Sequence, residues 1–248
     1  MVSKSDSAFE QHLRDAKLAA LAEFAAGAGH EINNPLATIS GYAQLLLKDE
    51  TDDSRRHALL AIGGQALRIR DMIGDLMIFA RPPVPQYEQL DLSTLVRDTA
   101  SRMSQEAQSK ECWIDVSAGL GITAEADPDQ VRTVISSLLR NALDLLPKGG
   151  GVSVTVEAAE EIDAEGQARP GVQILVSDTG PGLAPGELEH AFDPFFSGRS
   201  AGRGLGFGLS KCWRILTQHG GRIELSNRPE GGLNVRTWWP ATQSPTQS

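Results

Sequence analysis

The sequence predicts an α-helical hairpin followed by an α/β two-layer sandwich with a mixed sheet. Apolar residues in the first 80 positions recur at the alternating three- and four-residue spacing of a helical seam. Further along, Val152–Val156 alternates as a half-buried strand does, and 131–145 has the pattern of an amphipathic helix. Helices layered on a sheet are the usual architecture for such a mixture.

The hairpin prediction rests on two apolar seams separated by a polar turn at 48–54. The first seam comprises Leu18, Leu21, Ala25, Ala28, Ile32, Ile39, Tyr42 and Leu46, and the second comprises Leu59, Ile62, Ala66, Ile69, Ile73, Leu76 and Ala80. Two helices alone enclose no core, so the seams predict a four-helix bundle formed with a second copy. The alternative is that the hairpin packs on the rest of its own chain.

The prolines of Arg81–Pro85 end the second helix, because proline removes a backbone N–H and restricts the residue before it. We therefore place one domain at 8–81 and a second at 86–242. The second domain has further strands at 172–176, 222–225 and 235–239.

Charge, apolar runs and cysteine number argue against several classes of partner and location. The formal net charge of −9 argues against nucleic acid as a partner, because binding its phosphates requires a positive surface. No apolar run approaches the length of a membrane span, and the start lacks the apolar core of a signal peptide, so we expect no membrane contact and a cytoplasmic location. Cys112 and Cys212 form no disulfide framework.

A first candidate site lies in Gly29–Leu36. His30 falls off the apolar seam next to Glu31, and Asn34 lies one helical turn further on the same face. An exposed imidazole beside a carboxylate can act as a nucleophile, with Glu31 accepting its proton. A solvated surface pair is the alternative interpretation.

Two further candidates lie in the second domain. Asn141 places a polar amide on an apolar helical stripe, where it is either hydrogen-bonded internally or directed at a ligand such as Mg²⁺. Asp178 ends a buried strand and is followed by Gly180 and Gly182, which permit a ligand to approach the backbone. Its carboxylate could accept a hydrogen bond from an adenine amino group, whereas an ordinary aspartate–glycine turn is the alternative.

The last candidate is a glycine cluster, Gly204, Gly206 and Gly208, which opens an amphipathic helix. Amides at a helix N-terminus can bind phosphate oxygens. Arg199 and Arg203 precede the cluster and could meet the same phosphates.

In this order the motifs resemble those of the two-component sensor histidine kinases, over residues 13–240. Gly29–Leu36 is similar to their phospho-acceptor box and Asn141 lies in a match to their asparagine box. The two glycine boxes correspond to 178–182 and 204–208, and the phenylalanine box to Phe192–Phe196. The residues around His30 are closest to the nitrogen-regulatory branch.

The resemblance implies a homodimeric histidine phosphotransfer domain at 8–81 and an ATP-binding kinase domain of the gyrase and MutL type at 86–242. It implies that ATP phosphorylates His30, and that the phosphoryl group passes to an aspartate of a response regulator receiver domain. Glu31 would assist as base, and Asn34 would orient water for dephosphorylation of the partner.

By the same resemblance, Asn141 would hold Mg²⁺, Asp178 would bind adenine, and Arg199 would face the phosphates. One departure is Ser137, which stands where the family has an asparagine.

Two other functions fit the motifs less well. A module that senses ATP without transferring phosphate would not need His30, Glu31 and Asn141 together. A gyrase-like ATPase would leave the hairpin unexplained, and no glutamate precedes Asn141 within one helical turn to activate water.

Overall fold

The computed structural model describes residues 23, 27, 29, 31–162, 166–196 and 206–242. The chain divides after Pro83 into two compact units. Among the described residues, no helix combines the length and apolarity needed to cross a membrane.

The described part of the first unit contains two helices. Helix α1 is helical over 31–49, and α2 spans Asp53–Ala80. Asp52 caps α2, because its side chain accepts a hydrogen bond from the N–H of Arg55 at 2.9 Å. At the other end, the N–H of Arg81 bonds to the Met77 carbonyl, and the proline-rich segment that follows cannot continue the helix.

The apolar residues of α1 fall into a buried and an exposed set. Leu36 and Ala43 are buried, and Ala43 lies against α2 near Gly63. In contrast, Ile39, Tyr42 and Leu46 are 45%, 64% and 57% exposed. The seam residues Ile39, Tyr42 and Leu46 are therefore not the surface that packs inside one hairpin, and they stay available to another partner.

The second unit is built on a five-stranded sheet. Its elements are β1 (Glu88–Asp91), α3 (Leu92–Ser109), β2 (Trp113–Ala118), β3 (Thr123–Ala126), α4 (Pro128–Leu145), β4 (Gly151–Ile162), β5 (Ala168–Asp178), α5 (Pro185–His190), α6 (Gly208–Gln218), β6 (Arg222–Asn227) and β7 (Leu233–Pro240). The strand order is β2-β4-β5-β7-β6, with β2 parallel to β4 and the other pairs antiparallel. Strands β1 and β3 form a separate antiparallel pair. The predicted mixed sheet is confirmed.

Alternate side chains of the central strands are apolar, and they form the face of the sheet on which the helices pack. Val152, Val154 and Val156 of β4 are buried, and so are Val172, Ile174 and Val176 of β5. Helix α4 packs against these strands, α3 against β2, and α6 against β6 and β7. Asp127 caps α4, since its Oδ1 accepts from the N–H groups of Asp129 and Gln130. This layering fixes where α4, α6 and the end of β5 lie.

Candidate functional site

Asp178 is the last residue of β5 and its side chain is held by two backbone amides. Oδ1 accepts hydrogen bonds from the N–H of Gly180 at 2.8 Å and of Leu233 at 3.2 Å. Within the described part of the chain, the other carboxylate oxygen, Oδ2, accepts no hydrogen bond. One oxygen is thus fixed to the protein, while the other remains an acceptor for a ligand.

The environment of Asp178 makes ionisation of its carboxyl less favourable than in water. Burial raises the pKa of this carboxyl, because a charge loses hydration there. The amides of Gly180 and Leu233 and the positive charge of Arg228 act in the opposite direction without cancelling the effect. A buried carboxylate with raised pKa at a strand end is typical of a binding site.

Protein atoms fill the space beside the glycines of this loop. A Cβ on Gly180 would lie 2.9 Å from Asp178 Oδ1, and one on Gly182 would lie 2.6 Å from Asn227 Oδ1. Gly182 and Gly232 also have positive φ angles, of 72° and 102°, and a Cβ on Gly232 would overlap the Asp178 carbonyl. These glycines are therefore required by the packing of the loop around Asp178.

Asn141 lies on α4, half-buried, where the N-terminus of α6 meets that helix. A Cβ on Gly208 would lie 2.9 Å from Asn141 Nδ2 and 3.0 Å from its Oδ1. One turn further along α4, the carbonyl of Leu145 would lie 3.8 Å from a Cβ on Gly180. Helix α4 thus connects the loop after Asp178 with the start of α6.

The start of α6 has the features of an anion-binding helix end. Its N-cap residue, Phe207, provides no side-chain hydrogen bond to the first turn. Gly206, with φ of 73°, lies against the carbonyl of Phe196, so the phenylalanine motif and the second glycine motif meet. The rings of Phe195 and Phe207 make an edge contact at 4.8 Å.

Four of the predicted site residues, His30, Arg199, Arg203 and Gly204, lie outside the described residues. On α1, Glu31 and Asn34 are both exposed. The structure brings Asp178, Gly180 and Gly182 together in one loop, and it places Asn141 against Gly208.

The sequence interpretation missed the turn between β6 and β7, which contacts this loop through Asn227, Arg228 and Leu233. The glycine pair Gly231–Gly232, between the predicted strands at 222–225 and 235–239, was the available signal, but such a pair is equally typical of a plain connection between two strands.

Comparison with known proteins identifies both units. Residues 20–83 match the family model of the His Kinase A (phospho-acceptor) domain. Residues 126–243 match that of the histidine kinase-, DNA gyrase B- and HSP90-like ATPases. Residues 20–83 thus form a phospho-acceptor hairpin and residues 126–243 an ATPase-type domain, and the curated relatives that this chain matches over both domains are sensor histidine kinases.

Individual relatives agree with this assignment. The sensor histidine kinase ZraS of Escherichia coli is 31% identical over 92% of this chain and 47% of its own length. The full-length ShkA crystal structure in complex with AMPPNP has a TM-score of 0.72 at 25% identity, over 90% of this chain and 46% of that one. The histidine kinase ThkA, solved with the response regulator TrrA, shares the fold with a TM-score of 0.65 at 21% identity, over 100% and 70% of the two chains. The chain spans about half the length of the curated relatives it matches.

Proposed function

We propose that this chain is an ATP-dependent protein-histidine autokinase that phosphorylates His30 and transfers the phosphoryl group to an aspartate of a response regulator receiver domain. One observation carries the proposal. The chain joins an ATPase-type unit to a phospho-acceptor hairpin with exposed Glu31 and Asn34. In the ATPase-type unit, one carboxylate oxygen of Asp178 has no hydrogen-bond partner among the described residues. A gyrase-like ATPase has no use for such a hairpin.

At the adenine end of the site, Oδ2 of Asp178 would accept a hydrogen bond from the adenine amino group. The backbone of Gly180 and Gly182 would line the same side. At the other end, amides of Gly204, Gly206 and Gly208 would bind the phosphates at the start of α6. The guanidinium groups of Arg199 and Arg203 would add charge-assisted hydrogen bonds to the phosphate tail.

The donor chemistry near α6 fits magnesium. Mg²⁺ prefers oxygen ligands and keeps several waters, so nucleotide sites hold it with one or two protein groups plus phosphate oxygens. Across the described residues there is no cluster of three His, Cys, Asp or Glu side chains for a metal, and the amide oxygen of Asn141 is the protein ligand that we propose. When bound, the ion neutralises charge on the phosphates during transfer.

The chemistry assigned to the hairpin is nucleophilic. One ring nitrogen of His30 forms a bond to the γ-phosphorus while the bond to the ADP oxygen breaks, and Glu31 accepts the proton of the other nitrogen. In the second transfer, the phosphorus–nitrogen bond breaks as the partner's aspartate forms an acyl phosphate. Asn34 then orients the water that hydrolyses the acyl phosphate, so the same surface also dephosphorylates the partner.

We propose that the working form is a homodimer joined through the hairpins. The exposed Ile39, Tyr42 and Leu46 support this proposal, because a second copy would cover them. We place this segment in the cytoplasm, where ATP and the receiver domain are available, without contact to nucleic acid or membrane.

Incubation with γ-labelled ATP tests the proposal. We expect acid-labile, base-stable label on the chain, as a phosphohistidine gives. His30→Gln should abolish the label and leave ATP binding unchanged, while the exposed His57 on α2 provides a matched control in which His57→Gln keeps the label. Acid-labile label that persists in His30→Gln would overturn the assignment.

A further inference from the structure

The turn that joins β6 to β7 bonds to the loop after Asp178 through an asparagine side chain. Asn227 is the last residue of β6. Its Oδ1 accepts a hydrogen bond from the N–H of Leu183 at 2.9 Å, and its Nδ2 donates one to the Leu183 carbonyl at 2.6 Å. A single amide therefore pairs with both backbone groups of Leu183, as a neighbouring strand would.

The same turn also holds the other end of the loop. Arg228 Nη1 donates to the Asp178 carbonyl at 2.9 Å, and the Leu233 N–H donates to Asp178 Oδ1 at 3.2 Å. The turn is closed on itself by a bond from the Arg228 N–H to the Gly232 carbonyl at 2.9 Å. Asp178 and Leu183 are thus attached to one closed turn.

Between these attachments the loop depends on Asn227. Within the described residues, the hydrogen bonds made by 181–183 are the two between Leu183 and Asn227. Gly182 leaves no room for a side chain beside the same amide, since an added Cβ would lie 2.6 Å from Asn227 Oδ1. Without the amide, this segment would lose its bonded neighbour and gain conformational freedom.

We propose that Asn227 is a positioning residue of the nucleotide site, which fixes the loop 180–183 relative to Asp178 in the conformation that ATP requires. This inference rests on the proposed function. Asn227 acts through the loop and does not contact the reacting atoms. Ordering the loop in advance removes an entropic cost that the nucleotide would otherwise bear on binding.

The test uses the full chain with Asn227→Ala. We expect the Kd for ATP and the KM in autophosphorylation to rise about five- to fiftyfold, as the loss of two hydrogen bonds implies. The value of kcat at saturating ATP should change less than about twofold, because bound ATP restores the loop. A merely structural role would lower the yield of active protein, and therefore apparent kcat, at unchanged KM.

The control removes a similar amide from the neighbouring strand. Asn234 Oδ1 accepts a hydrogen bond from Ser177 Oγ at 2.7 Å, next to Asp178, and among the described residues its side chain forms no hydrogen bond with 180–183. Asn234→Ala should leave the Kd for ATP within about twofold of wild type. If Asn227→Ala does not fold, Asn227→Asp replaces it, because it keeps the acceptor but sets a carboxylate against the Leu183 carbonyl, and its Kd should also rise.

A double-mutant cycle isolates the contact with Gly182. Gly182→Ala should weaken ATP binding, and adding Asn227→Ala should weaken it by less than the sum of the two single effects, because the collision has been removed. Wild-type Kd in Asn227→Ala, or an equal rise in Asn234→Ala, overturns the positioning role alone. Failure of the unsubstituted chain to bind ATP would instead overturn the proposed function.

Discussion

The Nε2 atom of His219 accepts a hydrogen bond from the backbone N–H of Asp127 at 3.2 Å, joining the residue after α6 to the residue before α4. Its other ring nitrogen, Nδ1, lies 2.9 Å from the Ile215 carbonyl, so the ring is a neutral imidazole with its proton on Nδ1. The ring is fully buried between Tyr87 and Trp239. The two helices that carry Asn141 and Gly208 are therefore linked through one titratable side chain.

The first prediction concerns acid stability. Burial lowers the pKa of His219 below its ordinary 6.5, and the Ile215 carbonyl and the Asp127 carboxylate oppose this only in part. At pH values between the lowered pKa and 6.5, His219 is protonated in the unfolded chain but not in the folded one. The contribution of the neutral His219 ring to the free energy of unfolding is therefore fully present above pH 6.5 and is lost as pH falls through that window. The slope should approach about 1.4 kcal/mol per pH unit for one proton.

Tryptophan fluorescence can follow unfolding of the second unit at each pH, because all four tryptophans lie in that unit. His219→Gln should flatten the slope of the free energy of unfolding below pH 6.5. The exposed His190 supplies the control, and His190→Gln should retain the slope. An equal slope in wild type and His219→Gln would contradict the prediction.

The second prediction separates the binding role of Asp178 from its structural role. Because burial raises the pKa of Asp178, the contribution of this carboxyl to stability is complete below pH 3.8 and is lost as pH rises through the folded-state pKa. Ionisation of Asp178 therefore costs stability. In Asp178→Asn a neutral oxygen can still accept from Gly180 and Leu233. Stability at pH 7 should therefore be unchanged or higher.

Although Asp178→Asn should not lose stability, it should bind ATP more weakly. In Asp178→Asn, an amide donor replaces Oδ2 and would face the adenine amino group, so the affinity for ATP should fall by about ten- to a hundredfold. Calorimetric titration with ATP and thermal unfolding of the free protein measure the two effects. Wild-type affinity in a folded Asp178→Asn would refute the adenine contact. Asp193→Asn is the control, because among the described residues the exposed Asp193 side chain pairs with His190, at 2.8 Å from its Nδ1, and this variant should keep wild-type affinity.

The third prediction concerns Gly208. A Cβ there would lie 2.9 Å from Asn141 Nδ2, so Gly208→Ala must displace the Asn141 amide. Alanine favours the helix by up to about 1 kcal/mol, and stability should therefore be maintained. The Mg²⁺-dependent part of ATP affinity should fall.

A glycine with free space provides the comparison for this substitution. A Cβ on Gly186, in the first turn of α5, meets nothing within 4 Å. Gly186→Ala should leave ATP affinity unchanged with and without Mg²⁺. Equal behaviour of the two variants would show that the Gly208 contact with Asn141 does not matter for the metal.

Local pattern was sufficient to predict the central strands. Val152–Val156 alternates and lies within β4, but the strand continues to Ile162 through a stretch of glutamates and alanines that carries no such signal. Helix α3 was missed, although Leu92, Leu95 and Val96 have helical spacing and Asp91 caps it. The short β1 and β3 are defined by pairing with each other, which no local pattern contains.

The candidate site was predictable where a local rule applied. Asp178 was identifiable because an acidic residue ends a buried strand. The contacts of Asn227 and Arg228 span 44 and 50 positions, so only the fold brings them to this loop. Gly180 and Gly182 were predicted to let a ligand approach the backbone, whereas their packing against Asp178 and Asn227 already requires glycine at both positions.

The fourth prediction concerns the exposed apolar side chains of α1. Ile39→Glu combined with Leu46→Glu should weaken self-association at least about tenfold, because two charges would be buried in the interface. Sedimentation of the full chain over a concentration series measures the dimer constant. Leu120→Glu, at a side chain that is 94% exposed in the second unit, should leave it unchanged. A monomeric wild type at micromolar concentration would contradict the bundle.

The last prediction assigns phosphatase activity to Asn34. Its side chain is exposed and forms no hydrogen bond with the described residues, while its carbonyl accepts from Thr38 Oγ1 at 3.1 Å. The amide is therefore available to orient a water toward the acyl phosphate of a regulator docked on this face. Autophosphorylation uses the imidazole of His30 as nucleophile and needs no such water. Asn34→Ala should retain autophosphorylation and slow dephosphorylation of the regulator about tenfold or more.

The neighbouring asparagine tests whether any change at this place in α1 has the same effect. Asn33 is half-buried, and its Oδ1 has no hydrogen-bond partner among the described residues. Asn33→Ala therefore changes the neighbouring position of α1 and leaves the exposed Asn34 amide in place. Both activities should survive in Asn33→Ala. Parallel loss of both activities in Asn34→Ala would indicate a damaged helix beside Pro35. Unchanged dephosphorylation would leave Asn34 as a solvated surface residue, because a group that orients the attacking water cannot be removed without slowing that step.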